Sequence, residues 1–194
     1  MPSAQAVFLD RDGTINRNHY YADSGEFEAP RSAEDLELYP WSIPALTALK
    51  QAGYSLFIVS NQPNFAKGKS TLASLAEIQD KFVSELKLSD IVFQDCYYCY
   101  HHPESVVAGY SECVCRKPSP EFIFSAVKKH GVDLSRSWMV GDRPTDVECG
   151  YRAGLRTIRI KPDHPSADPQ NDWPKADYFC SNLLAASRII LNGE

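Results

Sequence analysis

The chain has 194 residues, 43% of them hydrophobic and 23% charged, a globular composition that excludes a fibrous or disordered protein. Lys plus Arg total 20 against 25 Asp plus Glu, and a net charge of −5 argues against a nucleic-acid face while leaving room for a small phosphorylated ligand held by one local basic group. No apolar run approaches the roughly 20 residues of a membrane helix, and Met1 to Gln5 has neither a basic region nor an apolar signal core, so a cytoplasmic, monomeric, single-domain protein over 1–194 is expected, without a membrane partner.

Ala6-Val-Phe-Leu-Asp10 reads as a buried strand ending in an acid. Asn16 to Leu38, with Tyr20, Tyr21 and Phe27, is too long for a routine turn and is expected to cover a pocket. Pro44 to Ala52 is helical and stops at Gly53, and Tyr54 to Ser60 is a second strand. Thr71 to Leu88 is an amphipathic helix with Leu72, Leu75, Ile78, Phe82, Val83 and Leu86 on one face. Tyr97 to Val114 breaks the pattern with a Cys/His cluster. Pro120 to His130 is a helix, Ser137 to Gly141 a strand, Thr145 to Ala153 a helix and Leu155 to Ile160 a strand. Lys161 to Lys175 reads as a surface loop, and Ala176 to Cys180 with Leu183 to Leu191 as a last strand–helix pair. This alternation predicts an α/β fold, a three-layer, mostly parallel Rossmann-like sheet with helices on both faces. Ligands of such sheets bind beyond the carboxyl ends of the strands, so Asp10, Ser60 and Asp142 should meet at one edge.

Five constellations carry chemistry. Asp10-Arg-Asp12-Gly-Thr14 crowds two carboxylates beyond a strand, an arrangement that repels itself unless a divalent cation such as Mg²⁺ is present, though an acidic turn capping a helix reads the same way. Gly141-Asp142-Arg-Pro-Thr-Asp146 can supply a further metal carboxylate at Asp142, with Asp146 orienting Lys117 or a water, or favoured simply by the helix dipole. Ser60-Asn61-Gln62 can donate to phosphoryl oxygens and is also ordinary turn chemistry. Arg116-Lys117 pairs a bidentate and a point-charge phosphate binder. Cys99-x-His101 with Cys113-x-Cys115 has the spacing of a closed, structural zinc knuckle, with Cys96 a competing ligand through Cys96-x-x-Cys99. Cys149 and Cys180, within helix and strand patterns, read as core thiols.

In this order, Asp10-x-Asp12-Gly-Thr14, Ser60, Lys117 and Gly141-Asp142-x-x-x-Asp146 resemble the aspartate-nucleophile phosphatases of the haloacid dehalogenase (HAD) superfamily, from residue 6 to about 190. Phe8 to Asn16, Ser60 to Gln62, Lys67-Gly-Lys69, Cys99 to Pro103 and Cys113 to Pro118 are similar to its heptose-bisphosphate and histidinol-phosphate phosphatase subfamily. The chain departs from it at Pro63-Asn64, where the subfamily has Ser-Gly, and in a longer Tyr20 to Leu38 loop. The resemblance implies a nearly capless fold with an inserted zinc loop over 96–116 and zinc on Cys99, His101, Cys113 and Cys115. It implies Asp10 as nucleophile and Asp12 as acid–base, with Mg²⁺ on Asp10, the Asp12 backbone carbonyl and Asp142. Ser60 and Lys117 then hold the phosphoryl group, Asn61 and Arg116 contact a small sugar phosphate, and Asp146 supports the site. A polynucleotide 3′-phosphatase shares these motifs but lacks support from the charge, a phosphoacceptor domain carries its aspartate on a later strand, and a non-catalytic zinc module leaves the acids unexplained.

Overall fold

The computed structural model describes residues 4–164 and 174–193. Six strands form one parallel sheet in the order β5-β4-β1-β6-β7-β8, built from β1 (Ala6–Leu9), β4 (Ser55–Asn61), β5 (Asp95–Cys99), β6 (Trp138–Gly141), β7 (Arg156–Ile160) and β8 (Tyr178–Cys180). The chain leaves β1 toward β4 on one side and later returns to β6 on the other, so β1 sits at the point where the winding reverses. A two-stranded antiparallel hairpin, β2 (His19–Tyr21) and β3 (Glu26–Glu28), stands apart from this sheet.

The pleat explains the layering. All four residues of β1 are buried, and they alternate between two cores. Val7 and Leu9 face α1 (Ser42–Gln51), α2 (Leu72–Lys87) and α5 (Leu183–Asn192), through Leu46, Phe82 and Ile190 among others. Ala6 and Phe8 face α3 (Glu121–His130) and α4 (Pro144–Ala153), through Ile123, Ala126 and Cys149. Each aliphatic side chain so buried contributes about 1.5–3 kcal/mol. Side-chain caps start two of the helices: Thr71 Oγ1 accepts from Ser74 N (3.0 Å) and Asn182 Oδ1 from Ala185 N (2.9 Å).

The sequence reading needs three corrections. First, residues 95–99 form a strand rather than part of a loop. Asp-Cys-Tyr-Tyr-Cys has no aliphatic residue because β5 is a half-exposed edge strand, so it lacks the apolar run that marks a buried one. The Cys/His segment therefore grows from a strand end. Second, Leu72 (43% exposed) and Val83 (42% exposed) are not on the buried face of α2, which is Leu75, Ile78, Phe82 and Leu86. A stripe of period 3.6 through those four leaves 72 and 83 on its flanks. Third, the 16–38 segment is a structured hairpin and turn rather than an irregular loop. Tyr21 Oη donates to Asp35 (2.6 Å), the Arg31 guanidinium lies 3.9 Å over the Tyr21 ring, and Glu28 pairs with Arg31 (3.1 Å) and with Lys69. Of the expected 161–175 surface loop, 165–173 lie outside the described residues.

Candidate active site

The parallel register brings three strand ends to one place. Leu9 pairs with Ile58 on β4 and Val140 on β6, so Asp10, Ser60 and Asp142 follow at the carboxyl edge. A cavity of about 610 Å³ opens there, lined by Asp10, Asp12, Asn61, Arg116, Lys117 and Asp142, with the β2–β3 hairpin forming another wall through Phe27 and Glu28. The expectation that the 16–38 segment borders the pocket agrees with this placement.

Lys117 sits at the centre, 3% exposed. Its three ammonium protons meet three acceptors: Asp10 Oδ1 (2.8 Å), Asp146 Oδ1 (2.6 Å) and the Val59 carbonyl (2.7 Å). Burial opposes its charge, but the Asp10 and Asp146 carboxylates prevail and hold its pKa above the ordinary lysine value. Burial likewise opposes ionisation of Asp10, while Lys117 and a hydrogen bond from Ser60 hold its carboxyl below the usual range. The nucleophile candidate is thus an ionised carboxylate. The Asn61 amide clamps the Lys117 backbone in both directions, donating to its carbonyl (3.1 Å) and accepting from its N–H (3.0 Å). Asn61 lines the pocket as expected, yet both ends of its side chain are engaged in positioning Lys117. Ser60 is 2% exposed and sits behind the pocket surface against Asp10 and Gln62.

Asp10, Asp142 and Asp146 each bring a carboxylate oxygen within 4.8 Å of the others. The buried Asp142 Oδ1 has no hydrogen-bond partner among the described residues. Burial first, then the charges of Asp10 and Asp146, push the Asp142 carboxyl well above its ordinary pKa. An orphaned carboxylate oxygen beside a second acid is what a hard divalent cation would satisfy, so Asp10 and Asp142 fit Mg²⁺. Asp146 fits a supporting role instead, because one oxygen holds Lys117 and the other accepts from Arg143 N (2.9 Å) at the start of α4. Its carboxyl is pushed up to about 6, by burial first, with Asp10 adding and Lys117 opposing. The Asp12 carboxylate is outside this acid cluster and is held by Arg11, Asn16 and Gln62.

Glycines make the packing possible. A Cβ on Gly141 would lie 2.2 Å from Asp146 Oδ2, so the motif's glycine is the space its last acid occupies. Gly13, at φ +81°, would place a Cβ 2.4 Å from Asp142 Oδ2.

Cys99, His101, Cys113 and Cys115 gather at the end of β5, while Cys96 stays outside the group. Sγ of Cys99 lies 3.5 Å from that of Cys113 and 3.1 Å from that of Cys115, and His101 Nδ1 is 3.8 Å and 3.9 Å from Cys99 and Cys115. Tetrahedral zinc with bonds of about 2.3 Å to sulfur sets sulfurs about 3.8 Å apart, so the four donors fit a closed zinc site after a shift of a few tenths of an ångström. Arg116 follows directly and donates to the His101 carbonyl (3.0 Å), which ties the pocket's arginine to this loop.

The comparisons with known proteins bear on this architecture. A family model described as HAD-hydrolase-like matches residues 114–186. The D-glycero-alpha-D-manno-heptose-1,7-bisphosphate 7-phosphatase of Photorhabdus laumondii is 32% identical over 188 residues, 96% of each chain. The chain belongs to this family of HAD-like phosphatases. The D-glycero-beta-D-manno-heptose-1,7-bisphosphate 7-phosphatase of Escherichia coli K12 is 35% identical over 176 residues, 88% of each chain. A crystal structure of the D,D-heptose 1,7-bisphosphate phosphatase of B. bronchiseptica, complexed with magnesium and phosphate, superposes with a TM-score of 0.80 at 26% identity, covering 98% of this chain and 99% of that one. Family membership agrees with the HAD resemblance and with the parallel sheet. No helix among the described residues is long and apolar enough to cross a membrane.

Three residues in or behind the pocket of this HAD-like phosphatase were not singled out from the sequence. Asn18, with a buried Oδ1 lacking a partner among the described residues, lies beside Gly13. Arg143 lines the pocket, and its charge lowers the pKa of both Asp10 and Asp142. Its place inside Gly141-Asp142-Arg-Pro-Thr-Asp146 was the available signal. Arg11, between the two acids, is 2% exposed, and burial of an arginine cannot be read from a motif.

Proposed function

We propose that this phosphatase hydrolyses a phosphomonoester of a small sugar, D-glycero-D-manno-heptose 1,7-bisphosphate at its 7-phosphate, through an aspartyl-phosphate intermediate. The observation that carries this reading is the meeting of Asp10, Lys117 and Asp142 in one buried cluster at the carboxyl edge of β1, in a chain aligned almost end to end with heptose-bisphosphate 7-phosphatases. The pocket is sized for a small ester, and Lys67, Arg116 and Arg143 line it with positive charge suited to a second phosphate.

In this reading Asp10 attacks the phosphorus. The bond from phosphorus to the sugar oxygen breaks, and its electron pair leaves on that oxygen, which takes a proton from the Asp12 carboxyl. Asp12, now a carboxylate, accepts a proton from water as that water's oxygen attacks the phosphorus of the aspartyl-phosphate. The bond to Asp10 breaks, and phosphate and free Asp10 result. Lys117 neutralises the equatorial oxygens while Ser60 and Asn61 hold the loop and Arg116 orients the sugar side. Mg²⁺, held by Asp10, the Asp12 backbone carbonyl and Asp142, would lower the repulsion between nucleophile and phosphate. Zinc on Cys99, His101, Cys113 and Cys115 would order the segment that aims Arg116 and Lys117.

A phosphate-release screen over both anomers of the heptose bisphosphate, histidinol phosphate and other sugar phosphates, with and without Mg²⁺, tests the reading. A Mg²⁺-dependent preference of about tenfold or more for a heptose bisphosphate, roughly 1.4 kcal/mol in the transition state, is expected, with Asp10→Asn inactive. An Asp10→Asn protein turning over at the wild-type rate would end the proposed chemistry. A tenfold preference for histidinol phosphate would reassign the substrate.

A further inference from the structure

Arg11 is the largest charged side chain buried among the described residues, and no step of the proposed reaction gives it a role. Its side-chain partners are Asp12, Gln62 and Tyr98. Arg11 Nε and Nη2 donate to Asp12 Oδ1 (both 3.1 Å), Nη2 also reaches Asp12 Oδ2 (3.2 Å), and the same Nη2 donates to Gln62 Oε1 (2.9 Å). Gln62 completes the ring, because its Nε2 donates to Asp12 Oδ2 (2.5 Å). With its oxygen on the Arg11 guanidinium and its nitrogen on the Asp12 carboxyl group, the Gln62 amide has one workable orientation. Its backbone N–H is pinned to the Cys99 carbonyl (2.7 Å) and its Nε2 also reaches Ser60 Oγ (3.1 Å). The guanidinium lies 5.5 Å from the centre of the Tyr98 ring, and the Tyr98 hydroxyl donates to Gln79 on α2. Arg11 and Gln62 are nearly fully buried, at 2% and 1% exposure.

We propose that Arg11 and Gln62 are positioning residues for proton transfer by Asp12, fixing the orientation of its carboxyl group through a closed ring of hydrogen bonds without touching the substrate. The inference rests on the reading of Asp12 as the acid–base group. An alkyl ester leaves as a strongly basic alkoxide and needs the Asp12 proton as its bond to phosphorus breaks. An aryl ester such as p-nitrophenyl phosphate leaves as a stabilised phenolate and does not. The second half-reaction, attack of water on the aspartyl-phosphate, needs Asp12 as base whichever ester began the cycle. A displaced Asp12 therefore leaves a specific kinetic signature.

The experiment is rapid-mix kinetics of the Mg²⁺-loaded full chain with p-nitrophenyl phosphate and with a heptose phosphate, with thermal melts alongside, comparing wild type, Gln62→Leu, Arg11→Lys, Arg11→Met and Asp12→Asn. A misplacement of about 1 Å costs on the order of 10²-fold, so Gln62→Leu should slow cleavage of the sugar ester by that factor. Its p-nitrophenolate burst should stay within about threefold of wild type and be followed by slow turnover. Arg11→Lys keeps the buried charge but loses the fork, and should show the same split with less loss of thermal stability than Arg11→Met. Equal losses on both esters, or a burst amplitude reduced in step with the sugar rate, would mean that the pair serves folding alone and would overturn the inference while leaving the reaction intact. If Asp12→Asn itself shows no split between the esters, the acid–base reading of Asp12 falls, and the positioning role with it.

Discussion

Replacing Gly13 by alanine isolates the geometry of the acid cluster from its charge. The substitution adds one methyl group and changes no titratable residue. Its Cβ would lie 2.4 Å from Asp142 Oδ2, 2.8 Å from Asp142 Cγ and 3.0 Å from Asn18 Nδ2. Ordinary contact begins near 3.4 Å, so the Asp142 carboxylate must retreat by about 1 Å. The backbone adds its own cost, since φ +81° strains an alanine by about 1–2 kcal/mol. In a chain of this length that strain lowers Tm by roughly 2–8 °C. A shift of about 1 Å in a group that positions the reaction costs on the order of 10²-fold in rate. Gly53→Ala is the matched control, because Gly53 has φ +85° with nothing within 4 Å of its Cβ, so it carries the strain without the clash. Thermal melting and phosphate release over a Mg²⁺ titration should show similar Tm losses for both variants, with a rate loss and a raised Mg²⁺ requirement for Gly13→Ala alone. A Gly13→Ala protein that melts like Gly53→Ala yet keeps wild-type turnover and metal dependence would refute the assignment of Asp142 to the reacting centre.

Lys117→Met should abolish turnover and cost about 3–5 kcal/mol in denaturant unfolding, because it strands Asp10 and Asp146 as buried carboxylates. Adding Asp146→Asn should return part of that stability and none of the activity. Elemental analysis of purified protein should find about one zinc per chain, lost in His101→Ala and retained in Cys96→Ser, since Cys96 stands outside the donor group. Asp95 is partly buried, but Lys129 (2.7 Å) and His130 (3.2 Å) more than offset that burial and hold its carboxyl at about 2, against 3.8 ordinarily. A group whose pKa falls on folding stabilises the fold above its unfolded value and loses that contribution as pH falls through the folded one. Urea midpoints of wild type should therefore exceed those of Asp95→Asn near pH 7 and converge with them near pH 2.

The acid-ended strands, the helix at 71–88 and the order of motifs were legible because each rests on local chemistry: a period of 2 or 3.6, a turn glycine, or carboxylates two residues apart. Strand alternation alone implied the carboxyl edge on which Asp10 and Asp142 meet, since parallel crossovers leave that edge open. Other features depended on neighbours distant in the chain. β5 takes its strand form from pairing with β4, not from its own cysteines and tyrosines. The choice of His101 over Cys96 follows the pleat, which sends residue 99 to the strand end beside the returning Cys113-Val-Cys115 segment and keeps residue 96 against the core. Asn61 could be read as a ligand donor until its amide was found closed on the Lys117 backbone, 56 residues away. Arg11 carried no expectation of its own in the Asp10–Thr14 motif, and only burial matched it to Asp12 and Gln62. Sequence determines which groups can ionise, bond or turn, because those properties belong to single residues and short spacings. Burial and partner choice come from packing, and they decide whether such a group acts on a ligand or on the protein itself.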